Sequence, residues 1–108
     1  MRDRALKWFF VVLGAAVPAA AAAQEHVVSQ KNRQFAPKAL TAKVGEPVNF
    51  KNDDNVYHNV FSLSKALSFD LGAMAPGQSR KVEMAREGVI DVECAIHPEM
   101  KLQIKVVR

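Results

Sequence analysis

From residue 27 to the C-terminus, apolar and polar residues alternate with a period of two, the spacing of a half-buried β-strand. Val27 and Val28 open a β-prone run that ends near Asn32. Leu40, Ala42 and Val44 alternate with Thr41 and Lys43 up to the turn signal Gly45-Glu46-Pro47, after which Val48 and Phe50 alternate with Asn49 and Lys51. Asn52-Asp53-Asp54-Asn55 marks a loop before a strand over 56–63, and Pro76-Gly77-Gln78-Ser79 marks a turn before Val82 and Met84. Beyond Gly88, the residues Ile90, Val92 and Cys94 share one strand face, with Asp91 and Glu93 on the other. Leu102, Ile104 and Val106 repeat the pattern in a closing strand. Only 64–69 is ambiguous, with room for one helical turn. The expected fold is all-β, a Greek-key antiparallel sandwich or barrel of about seven to eight short strands. Phe35, Phe50, Phe61 and Phe69 are expected to pack between its sheets.

The first 23 residues do not follow this pattern. Arg2, Arg4 and Lys7 precede an apolar run from Trp8 to Val17, Pro18 breaks it, and Ala21-Ala22-Ala23 supplies small residues for cleavage. This is the layout of a cleaved secretory signal. The run from Trp8 to Ala23 falls short of the roughly 20 apolar residues that span a bilayer. The expected organisation is therefore a signal at 1–23 and one domain at 24–108, exported to the periplasm and monomeric, without stable membrane insertion.

Charge changes the picture little. Three of the fifteen Lys and Arg and one of the eleven Asp and Glu belong to the signal, so the net charge falls from +4 to +2 when it is removed. The basic residues left are interspersed with acids, with no basic run or interleaved aromatics, which argues against nucleic acid as a partner.

The single cysteine changes it more. An exported domain this small commonly relies on disulfides, and Cys94 has no partner in the chain. It stands in Cys94-Ala95-Ile96-His97-Pro98-Glu99-Met100, where thiolate, imidazole and thioether recur every third residue on a segment that Pro98 bars from regular structure. Two imidazoles, a thiolate and a weak axial thioether are the donors of an electron-transferring copper site. The second imidazole is assigned to His58, on the core face with Val60. A thioether in the fourth place suits copper better than structural zinc. If the mature chain begins Gln24-Glu25-His26, His26 could also close a square-planar nitrogen site for Cu(II) or Ni(II). Met74 and Met84 read as filler.

The His58-Asn59-Val60 strand with a Gly88-led strand ending in Cys94-x2-His97-Pro98-x-Met100 resembles the cupredoxins, the small blue copper proteins of the plastocyanin and azurin superfamily. It looks most like amicyanin and the methylamine-utilisation-type members. Phe69-Asp70-Leu71-Gly72 and Pro76-Gly77-Gln78-Ser79 extend the likeness. The resemblance implies a cupredoxin-like fold and one copper ion cycling between Cu(I) and Cu(II). It implies His58, Cys94 and His97 as equatorial ligands, Met100 as axial ligand, and a hydrogen bond from the Asn59 amide to the Cys94 sulfur. It implies a one-electron carrier, not an enzyme, serving transient protein redox partners such as a cytochrome or a dehydrogenase. The family often has glycine where Leu102 stands and an aromatic residue where Ile90 or Val92 stands, and Glu99 interrupts the apolar face around His97. The alternative is a periplasmic copper-delivery protein using the same site. Multicopper catalysis needs further histidine-rich centres, and only His26 remains.

Overall fold

The structure is a computed structural model that describes residues 24–108. Among these, nine strands and no helix are found: β1 (His26–Lys31), β2 (Gln34–Ala36), β3 (Ala39–Lys43), β4 (Pro47–Asn52), β5 (His58–Leu63), β6 (Ser68–Met74), β7 (Ser79–Glu83), β8 (Gly88–Cys94) and β9 (Lys101–Val107). They form two packed sheets, ordered β2-β1-β4-β7 and β3-β9-β8-β5-β6. The expected sandwich is present. The signal expected at 1–23 lies outside the described residues.

Alternation decides which side chains fill the space between the sheets. Val28, Val48 and Phe50 point inward from one sheet, and Val60, Ile90, Val92, Leu102, Ile104 and Val106 from the other; all are buried. Each such side chain contributes ~1.5–3 kcal/mol on leaving water. The core also takes in Met74, Met84 and Phe35, and Phe69 packs at its margin 6.0 Å from Phe50. Phe61 does not join them. It lies on the opposite face of β5 from Val60 and is only partly covered, as the period of two requires.

Three features depart from the pattern read along the chain. The sandwich is not purely antiparallel, because β1 runs parallel to β4 and β3 parallel to β9. Residues 64–69 form no helical turn: Ser62 Oγ accepts from Ser64 N–H at 3.1 Å and donates to the Leu67 carbonyl at 3.0 Å, which folds the connection tightly into β6. The short strand β2 returns from β1 through Asn32-Arg33 alone, with Lys31 paired to Gln34. Both turn residues have positive φ, 53° and 54°, as a two-residue hairpin of matching twist requires. Asparagine tolerates that conformation, whereas arginine carries its steric cost.

At the far end of the sandwich, Gly88 opens β8 at φ 142° against the connection between β5 and β6. A Cβ there would lie 2.6 Å from that of Ala66. Glycine is required at this position for both reasons.

Candidate metal centre

The centre sits where β5 begins and β8 ends. Val60 pairs with Cys94 across the two strands, so His58, two residues back on the same face, lies beside the sulfur. Both side chains are buried, Cys94 at 2 % exposed and His58 at 0 %. Beyond Cys94 the chain cannot continue its ladder through Pro98. It turns back with Met100 N–H on the His97 carbonyl at 2.9 Å and re-enters pairing at Lys101, opposite Glu93. Ala95 N–H donates to the Asn59 carbonyl at 2.9 Å, which ties the start of the loop to β5.

Three donor atoms converge. His58 Nδ1 and His97 Nδ1 are 3.1 Å apart, and Cys94 Sγ is 3.7 Å from the first and 3.8 Å from the second. A point in their plane lies roughly 2 Å from all three, matching the ~2.0–2.3 Å bonds that nitrogen and sulfur make to a first-row ion. The Asn59 backbone N–H donates to Cys94 Sγ at 3.3 Å, the contact the resemblance implied. Two imidazoles and a thiolate in a triangle are soft enough, and few enough, to suit copper. Met100, the fourth expected ligand, is buried at the close of the same loop, 1 % exposed.

The two histidines are held differently. His58 Nε2 lies 3.0 Å from Asp54 Oδ2, and that oxygen also accepts the Arg33 backbone N–H at 3.0 Å. Asp54 Oδ1 accepts from Asn55 N–H at 3.0 Å. These bonds, that from Arg33 first and that from His58 next, hold the Asp54 carboxyl at about 2, below its ordinary 3.8. Behind it, buried Asn52 accepts the Asp54 N–H at 2.9 Å and donates to the Val56 and Met74 carbonyls, each at 2.9 Å. His97, by contrast, stands partly exposed on the loop among Ala95, Ile96 and Pro98, all exposed. Among the described residues nothing hydrogen-bonds its outer nitrogen. Tyr57 adds an exposed ring beside β5.

Two contacts extend the second sphere. Asn59 Nδ2 donates to Asp70 Oδ1 at 2.9 Å, as does Gly72 N–H at 2.8 Å. The Gly72 bond chiefly, with that from Asn59, lowers the Asp70 carboxyl. His26 lies elsewhere, on β1 opposite Val48, with Nε2 2.8 Å from Glu46 Oε1. It is a strand residue anchored to the β3–β4 turn.

A sequence profile described as a cupredoxin-like domain matches residues 4–106. This chain belongs to the cupredoxin-like family. It is 28 % identical over 98 residues to the methylamine utilization protein MauL of Methylorubrum extorquens, covering 90 % of this chain and 84 % of that one. An amicyanin variant in its reduced state superposes with a TM-score of 0.71 at 26 % identity, over 82 % of this chain and 88 % of amicyanin. A purple cupredoxin from Nitrosopumilus maritimus shares the fold at a TM-score of 0.68 and 22 % identity, over 75 % of this chain and 98 % of that one.

The alternation of β8 and the spacing of the loop made Cys94, His97 and Met100 readable before the fold was known. Asp54 and Arg33 were not singled out, since 52–55 read only as a loop. The one available signal was an acid four residues before His58.

Proposed function

We propose that this cupredoxin is a one-electron carrier whose copper is held by His58, Cys94 and His97 in a plane, with Met100 on the axis. The convergence of two imidazole nitrogens and one sulfur to within 3.1–3.8 Å carries the reading. Copper in this ligand set exchanges one electron between Cu(II) and Cu(I). The protein's part is to hold a single arrangement for both states. Strands β5 and β8 fix His58 and Cys94, and the Asn59 amide hydrogen-bonds the sulfur. Binding requires Cys94 deprotonated, so loading releases a proton and weakens in acid.

His97 is the exit for the electron, because it alone of the three reaches the surface. The exposed apolar residues Ile96 and Pro98 beside it on the loop suit brief contact with a protein redox partner, a cytochrome or a dehydrogenase, by a monomeric carrier. The family membership and the likeness to amicyanin support the carrier role. The reading places the protein in the periplasm after cleavage behind Ala23, and treats it as a carrier rather than an enzyme. One donor cluster is present among the described residues, and His26 is engaged by Glu46.

The absorption spectrum of the copper-loaded protein tests this. An intense visible thiolate-to-copper band that disappears in Cys94→Ser is expected. A colourless cupric protein, or one that gives its copper freely to an apo-acceptor and exchanges no electron with a redox partner, overturns it.

A further inference from the structure

His58 is fully buried, so its outer nitrogen is shut off from bulk solvent, and a buried N–H left unpaired is costly. The atom that meets it is Asp54 Oδ2 at 3.0 Å. A carboxylate can only accept, so Nε2 carries the proton and Nδ1, facing Cys94 and His97, is left with a lone pair. Asp54 is itself held from the sheet opposite His58. The Arg33 N–H at the β1–β2 turn grips the same oxygen at 3.0 Å, and Asn52, at the end of β4, grips its backbone. Arg33 is left-handed at φ 54° because the two-residue hairpin requires it, and in that turn its N–H meets Asp54.

We propose that Asp54 is the positioning residue of this metal centre, fixing His58 as the tautomer that presents Nδ1, and that the Asn32-Arg33 turn is the clamp that holds Asp54 in place. The sandwich is thereby closed around the site by a chain of bonds from the turn through the carboxylate to the imidazole. The metal-affinity consequence rests on the copper reading above; the tautomer does not.

Two measurements separate these. In the metal-free protein, long-range nitrogen–proton NMR correlations of His58 are expected to show the Nε2–H tautomer alone. Asp54→Ala should introduce the Nδ1–H form, whereas Asp54→Asn, which can still accept from Nε2–H, should retain the wild-type tautomer. In the copper-loaded protein, Asp54→Ala should weaken affinity roughly 10- to 100-fold, the usual effect of losing a carboxylate behind a ligating histidine. Asp54→Asn should bind within a few-fold of wild type, with a reduction potential shifted upward, because a negative charge that favours Cu(II) is gone. Should Asp54→Ala fail to fold, the wild-type spectrum still decides, and a His58 that carries its proton on Nδ1 overturns the proposal. An Asp54→Ala protein with a pure Nε2–H tautomer overturns it too. A colourless wild type whose His58 tautomer nonetheless follows Asp54 overturns the copper reading and leaves the positioning role standing.

Discussion

His58 and His97 contribute the same atom, Nδ1, to the same triangle, yet the fold treats them as opposites. His58 rises from a strand, is closed to solvent and is pinned behind by Asp54. His97 hangs on a loop with its outer nitrogen free among the described residues. Under the proposed copper reading, an inner ligand held this way would resist rearrangement, and an outer one would give the electron a way across the surface. The difference teaches that the two ends of one centre are built for unlike tasks, geometry on the inside and access on the outside.

The sharpest way to break the comparison is to delete each ring. His97→Gly is expected to lose the wild-type visible band and to recover it when free imidazole is added, because the gap opens to solvent. His58→Gly should lose the band and show no recovery at the same imidazole concentration. Equal rescue of both, read by absorbance titration, would erase the distinction. At the far end of the sandwich, Gly88→Ala should cost roughly 1–3 kcal/mol of stability by chemical denaturation, through strained φ and the approach to Ala66. Its copper spectrum should stay unchanged, which separates the framework from the site.

Acid sharpens the comparison further. The Asp54 carboxyl sits at about 2 in the fold against an ordinary 3.8. A lowered folded value contributes stability above the ordinary one and loses it as pH falls toward the folded one. Metal-free wild type should therefore lose stability between about pH 4 and pH 2 more steeply than Asp54→Asn, by thermal melts across that range. The smallest effect expected is Glu99→Lys on the exposed loop. It should change the rate of electron exchange with a charged partner a few-fold at low ionic strength and little at high, the mark of steering. Stopped-flow traces matching wild type at all salt concentrations would remove Glu99 from the docking face.

What could be read along the chain and what could not follows the range of the interactions. Strand β8 was legible because Ile90, Val92 and Cys94 obey a local period, and that same period aims the sulfur inward. Strand β6 was less so, since Gly72 adopts φ 71° and the pairing with β5 shifts register between Asn59 and Phe61. Strand β2 is three residues long, too short for a period of two to show, and the Asn32-Arg33 turn before it has no glycine to announce a hairpin. The parallel pairs β1–β4 and β3–β9 join segments with no local signature of direction. Asp54 is the same case at the site: its role depends on Arg33 arriving from the β1–β2 turn, far back along the chain.

The loop that carries Cys94, His97 and Met100 spans only the gap between Glu93 and Lys101, which are partners in one antiparallel ladder. Within it Cys94 and Met100 are buried in the core, while Ala95, Ile96, Pro98 and Glu99 stand exposed. The exposed residues are the replaceable part of the connection. Under the proposed copper reading, exchanging them would alter the surface offered to a partner, while β5 and β8 keep the buried imidazole and the sulfur at the same place.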